Sequence, residues 1–256
     1  MIRFTLDGAE VEARDGETLW EVSKRLGRTL PHLCHADREG FTPEGNCRAC
    51  VVAIQGERAL AASCRRKATS GMVVETRGER VEKTRRLVFE LLAADQPPRA
   101  QAPDPDSAFW RWADVVGVHE SRFAATAAAI AADRTHPAMA VRLDACIHCT
   151  LCLRACREVQ VNDVIGMAGR GAHSRIVFDF NESMGASSCV GCGECVQACP
   201  TGALLPASGP IRAERRVESL CPFCGVGCQL TYHVAGGEII AAEGRDGQAN
   251  HERLCV

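Results

Sequence analysis

The sequence predicts an α+β chain assembled from several small, metal-stapled modules, and three observations carry that expectation. All sixteen cysteines of the 256 residues fall into four sets of four with none left over: Cys34, Cys47, Cys50, Cys64; Cys146, Cys149, Cys152, Cys156; Cys189, Cys192, Cys195, Cys199; and Cys221, Cys224, Cys228, Cys255. The second and third sets repeat one spacing, C-x2-C-x2-C-x3-C. Short alternating stretches and brief helical patterns lie between the sets, so metal takes over part of the work of a single large core.

The metal is read as iron and sulfide. The chain opens without a basic, apolar leader, which predicts a cytoplasmic protein whose thiols stay reduced and free of disulfides. Zinc could satisfy the last set, but it does not explain two adjacent C-x2-C-x2-C-x3-C runs, the spacing of bacterial iron–sulfur ligands. A net charge of −2 gives no sign of a nucleic-acid partner, and no stretch reaches the roughly 20 apolar residues of a membrane span.

Residues 1–83 read as the first module. Ile2, Phe4 and Leu6 alternate with polar residues, Asp7-Gly8 signals a hairpin turn, and Val11 with Ala13 resumes the alternation. Thr18 caps a helix with Leu19, Trp20, Val22, Ser23 and Leu26 on one side and Gly27 as its stop. Strands follow over 51–54, leaving directly from Cys50, and over 72–75. Hairpin, helix and returning strands make a β-grasp. Its cysteines are spaced C-x12-C-x2-C-x13-C, and four thiolates suit one [2Fe–2S] cluster.

Residues 84–136 contain no cysteine and read as a connector. A helix is expected over 83–95 with Leu87, Val88, Leu91 and Leu92 inward. A linker carrying Pro97, Pro98, Pro103 and Pro105 comes next, then an alanine-rich helix from Glu120 to Asp133. Trp110 and Trp112 are read as packing residues, and His35, His119, His136 and His148 as surface or core histidines. His35 and His148, beside ligand cysteines, could tune a potential without being ligands.

Residues 137–212 read as a two-cluster bacterial ferredoxin module. In this arrangement the fourth cysteine of each run crosses to the other cluster, giving one [4Fe–4S] on Cys146, Cys149, Cys152 and Cys199 and another on Cys156, Cys189, Cys192 and Cys195. Gly191 and Gly193 let backbone N–H groups approach the sulfurs. Residues 142–144 and 176–178 read as strands entering the cluster loops, and Arg154 and Arg157 as solvated helix positions.

Residues 213–256 form a small β-rich module in which 232–234 and 238–242 pair about Gly236-Gly237 and return Cys255 toward Cys221, Cys224 and Cys228 for a third [4Fe–4S]. Gly225-Val-Gly227 lies inside this cluster loop and is not a nucleotide-binding glycine motif.

The first cysteine spacing resembles the [2Fe–2S] module of the large iron–sulfur subunit of respiratory complex I. Cys221-Pro-Phe-Cys224-Gly-Val-Gly-Cys228 resembles the amino-terminal [4Fe–4S] domain of molybdopterin oxidoreductases. The order of modules, over nearly the whole chain, resembles the amino-terminal part of the catalytic α subunit of soluble NAD-dependent formate dehydrogenases. That resemblance implies an electron relay between a molybdenum or tungsten bis-pterin region and an FMN/NAD-binding iron–sulfur subunit, both outside these residues, and no catalytic residue within them. It is also similar to the iron–sulfur connector of NAD-linked hydrogenases and diaphorases, the alternative reading. The H-x3-C-x2-C-x5-C set of these families is missing, because His119 is followed by Glu120-Ser121-Arg122-Phe123; their His-ligated cluster is therefore expected to be absent.

Overall fold

The computed structural model describes residues 1–124 and 130–255. They form two compact units. One takes in Met1–His35, Thr42–Arg99 and the stretch from Asp106; the other takes in Ala36–Phe41, Ala100–Pro105 and the described residues from 130 onward.

In the first unit, β1 (Ile2–Leu6) and β2 (Ala9–Ala13) pair antiparallel with Leu6 opposite Ala9. Asp7 and Gly8 turn at φ 50° and 80°, the left-handed pair whose twist matches a tight hairpin. α1 (Leu19–Arg25) starts at a complete capping box: Thr18 Oγ1 accepts from Glu21 N at 3.3 Å, and the Glu21 carboxylate accepts from Thr18 N at 2.7 Å. β3 (Val51–Ile54), β4 (Ala61–Ala62) and β5 (Val73–Glu75) complete a five-stranded sheet in the order β2-β1-β5-β3-β4, parallel only between β1 and β5. Phe4, Leu6, Leu19, Trp20, Val22, Val52 and Val74 form its core together with Cys50 and Cys64. This is the mixed sheet and single crossing helix expected of a β-grasp.

The connector differs from its expectation. α2 (Glu79–Ala94) begins four residues early and turns Val81, Arg85 and Phe89 inward, while Leu87 and Leu91 are 38% and 49% exposed. Partners decide which face is buried: Phe89 stacks on Phe109 at 5.8 Å and Arg85 Nη2 donates to Val51 O at 2.7 Å. α3 (Ala108–Val116) fills a tract not expected to be helical and closes at Gly117, φ 72°. Trp110 is buried there, as a packing residue should be, and Trp112 is half-buried. Of the helix expected from Glu120 to Asp133, residues 125–129 lie outside the described residues, and the described flanks are not helical.

In the second unit, β6 (Met139–Val141) pairs with β9 (Leu204–Pro206), and β7 (Ile165–Ala168) pairs with β8 (Arg175–Phe178). The strand expected over 142–144 is displaced to β6, and Leu143–Ala145 is a 3-10 turn. α4 (Leu151–Arg154) runs on into a π turn at Ala155–Val159, and α5 (Glu194–Ala198) is its counterpart in the second cysteine run. β10 (Arg215–Leu220), β11 (Gln229–Ala235) and β12 (Glu238–Gly244) form an antiparallel meander whose last hairpin turns at Gly236-Gly237 as expected. Among the described residues no helix is long and apolar enough to cross a membrane.

The capping box gives a direct test of the first unit. Thr18→Ala removes the hydroxyl that receives Glu21 N and should destabilise this unit by about 1 kcal/mol, read as a lower urea midpoint with unchanged far-UV circular dichroism. A midpoint equal to that of the parent would show that the cap contributes nothing.

Candidate metal centres

The first cysteine set sits where loops meet the end of the β-grasp sheet. Cys34 follows the extended Leu30-Pro31 segment, Cys47 and Cys50 share one turn with Arg48 at φ 57°, and Cys64 follows β4. Cys34, Cys50 and Cys64 are buried and Cys47 is half-buried. The thiols touch: hydrogen bonding to Cys47 and then Cys64 pulls Cys34 down to about 2, and hydrogen bonding to Cys64 pulls Cys50 down to about 6. Cys47 and Cys64 are raised in turn, each first by its contact with Cys34. Backbone amides of Asn46 and Cys47 also point at Cys34. Such a set is poised to give up protons to a metal.

The repeated runs build two chambers. Cys146, Cys149, Cys152 and Cys199 line one with Leu143, Ile176 and Leu204. Cys156, Cys189, Cys192 and Cys195 line the other with Val164, Phe178 and Met184. In each, the fourth cysteine comes from the opposite run, because α4 and α5 carry it away from its own loop. Main-chain N–H groups are aimed at the sulfurs: His148 N at Cys146 (3.4 Å), Val164 N at Cys156 (3.3 Å), Gly191 N at Cys189 (3.4 Å) and Leu204 N at Cys199 (3.5 Å). Four thiols, an apolar wall and amide donors fit a negatively charged iron–sulfur cluster. Burial pushes Cys146 up to about 11 and raises Cys149, Cys152 and Cys195 well above the usual thiol value.

The two loops share one backbone and differ in sequence. Gly191 and Gly193 take φ 78° and 74°; the equivalent positions of the first run, His148 and Thr150, take φ 53° and 61° with side chains attached. His148 is exposed and approaches Cys146 with its main chain. His35 packs its ring on Trp20 at 4.3 Å, His119 lies 3.5 Å from Asp114, and His136 Nδ1 accepts from Ala138 N. Arg157 is exposed and pairs with Asp163, as a solvated position should. Arg154 is not solvated: it is 1% exposed, and its Nη2 lies 3.4 Å from Cys149 O.

The fourth set is the most open. Cys221 and Cys228 are half-buried and joined by Cys221 N donating to Cys228 O at 2.8 Å; Cys224 and Cys255 are exposed. The segment leading to Cys255 is held beside Cys228 by Asn250, whose Oδ1 accepts from Gln229 N and whose Nδ2 donates to Gln229 O, both at 2.9 Å. Asn250 and Thr201, whose hydroxyl lies 3.6 Å from Cys199 Sγ, were not singled out by spacing. Neither is a ligand type, and a hydroxyl or amide beside a cysteine is common. Arg38 carries no spacing signal either. It pairs at 2.5 Å with Glu194, which is fully buried in the second cysteine run, and at 3.2 Å with Glu252. Burial raises the Glu194 carboxyl, against the pull of Arg38.

Comparison with known proteins agrees with this order of modules. Residues 1–79 match the 2Fe-2S iron-sulfur cluster binding domain, 145–203 the 4Fe-4S dicluster domain, and 214–256 the Molybdopterin oxidoreductase Fe4S4 domain. The whole chain is 33% identical to 30% of an NADH-quinone oxidoreductase polypeptide of Rhizobium meliloti (strain 1021). It is 31% identical over 80% of its length to 36% of the HndD polypeptide of the NADP-reducing hydrogenase of Solidesulfovibrio fructosivorans. It is also 27% identical to 30% of the alpha polypeptide of the NADPH-Fe(3+) oxidoreductase of Geobacter sulfurreducens. The chain thus spans about a third of the length of the curated relatives it matches. A solved chain of an NAD+-reducing [NiFe]-hydrogenase superimposes with a TM-score of 0.74 at 28% identity, covering 82% of this chain and 91% of that one.

Thr201 offers a test specific to one chamber. Thr201→Val keeps the shape and removes the hydroxyl facing Cys199, so the cluster of that chamber should titrate at a lower potential while the others keep theirs. EPR-monitored redox titration reads this directly, and an unmoved potential would show that the hydroxyl does not stabilise the reduced cluster.

Proposed function

We propose that the chain is the electron-transfer portion of a formate dehydrogenase, carrying electrons between a pterin-bound molybdenum or tungsten site and an FMN/NAD-binding iron–sulfur subunit, both outside these residues. Cys34, Cys47, Cys50 and Cys64 hold one [2Fe–2S]. Cys146, Cys149, Cys152 and Cys199 hold a first [4Fe–4S]; Cys156, Cys189, Cys192 and Cys195 a second; Cys221, Cys224, Cys228 and Cys255 a third. The clusters supply one-electron chemistry. The chain's own residues position them, keep water from the two chambers and aim amides at the sulfurs.

The observation that carries this reading is the fourth set in its molybdopterin-oxidoreductase-type domain. A connector bound only to hydrogenase and diaphorase subunits has no need of it, and the two hydrogenase relatives are matched by about four-fifths of this chain while the Rhizobium relative is matched by all of it. Around that set Phe223 and Val226 are 90% and 62% exposed, an apolar surface suited to contact with a pterin-bearing region. The second reading, a connector in an NAD-linked hydrogenase, is favoured by the hydrogenase structure's coverage of this chain.

The proposal predicts about fourteen irons per chain and no stoichiometric zinc. An iron content near ten, or zinc in its place, would remove the fourth cluster. In the complex isolated with its partner subunits, formate and NADH should each reduce the clusters seen by EPR. Reduction by hydrogen but not by formate would establish the second reading instead.

A further inference from the structure

The first unit contains a cavity of about 780 Å³ that none of the cysteine sites uses. It opens between the loop after α1, the end of β5, the start of α2 and the last turn of α3. Its volume is that of a small-molecule site. Four arginines line it, Arg28, Arg77, Arg85 and Arg86, against two carboxylates, Asp7 and Glu82.

One of these two carboxylates is already engaged. Asp7 accepts from Thr76 N at 2.6 Å, from the Thr76 hydroxyl at 2.8 Å and from Arg28 at 3.1 Å. Arg77 and Arg86 are exposed and make no ion pair among the described residues. Arg85 is 7% exposed, and its Nε has no hydrogen-bond partner in the structure. The Arg85 guanidinium lines the cavity beside the exposed guanidiniums of Arg77 and Arg86, and this excess of positive charge favours an anion with several oxygens. Leu30, Pro31 and Val116 add apolar lining, and the space exceeds what a single phosphate fills.

We propose that this cavity binds a phosphorylated small molecule of nucleotide size, with its phosphates on Arg77, Arg85 and Arg86 and its organic part against Leu30, Pro31 and Val116. Arg85 also connects the cavity to the redox centre. Its Nη2 donates to Val51 O, the first residue of the strand that leaves Cys50. A bound anion offsets the positive field of Arg85, which disfavours adding an electron to the [2Fe–2S] cluster and lowers its potential. This second part rests on the cluster assignment proposed above; the binding site itself does not.

The test uses the full chain, purified anaerobically with its clusters, and isothermal titration with ADP, inorganic pyrophosphate and sulfate. ADP is expected to bind with one-to-one stoichiometry, more tightly than pyrophosphate, and sulfate not to compete at equal concentration. The double variant Arg77→Gln/Arg86→Gln changes exposed side chains only; it should keep the parent's circular dichroism and lose at least about tenfold in ADP affinity. Absence of binding by both phosphates, or equal affinity in the variant, overturns the site, and equal affinity for ADP and pyrophosphate overturns the apolar half of it. At saturating ADP the [2Fe–2S] midpoint should fall in the parent and not in the variant; binding without that shift overturns the coupling. A chain lacking any [2Fe–2S] signal would instead refute the cluster assignment, and the titration heats would still decide the site.

Discussion

A thiol buried among aliphatic side chains resists ionisation, and iron binds only the thiolate. The second unit is built around that conflict. Its core is Met139, Val141, Val164, Ile165, Ile176, Phe178, Met184 and Leu204, and Cys152, Cys156 and Cys195 are members of it. Without a metal these sulfurs are poorly solvated groups at the centre of a small domain. With one, the same burial excludes water and leaves the main-chain amides as the donors facing the negative charge. Folding and metal loading are therefore one process in this part of the chain, because the groups that would form its core are the groups that bind.

The first unit resolves the same conflict differently. Its β-grasp has a larger apolar core, Phe4, Leu6, Leu19, Val22, Val52 and Val74 together with Cys50 and Cys64, and hydrogen bonds among its thiols lower Cys34 and Cys50 while raising Cys47 and Cys64. The sheet supplies rigidity, with Cys50 and Cys64 packed into its core and Cys34 and Cys47 brought in on loops. The Arg38 guanidinium adds a third device in the second unit, placing a positive charge on a buried carboxylate two positions from one cysteine and one from another. An unpaired Glu194 would be costly there.

The parts of the fold legible in the sequence are those written in local chemistry. Asp7-Gly8, the Thr18 and Glu21 pair, Gly27 and Gly236-Gly237 each demand a backbone geometry at their own position, and the structure has it. What could not be read depends on distant partners. The inward face of α2 is set by Phe109 and Val51, residues far along the chain, so periodicity alone favoured Leu87 and Leu91. Arg154 reads as a surface residue until the carbonyl of Cys149 is seen beside it. Cysteine spacing separated four sets, but the role of Asn250 becomes visible only when the meander has returned it to Gln229.

The interleaving of the two cysteine runs makes the chambers inseparable. Cutting the chain between Cys156 and Cys189 would leave each chamber with three walls of sulfur on one piece and the fourth on the other. Neither run could close a chamber by itself, and the two loops keep one backbone with different residues: Gly191 and Gly193 in one, His148 and Thr150 in the other, tracing the same turn.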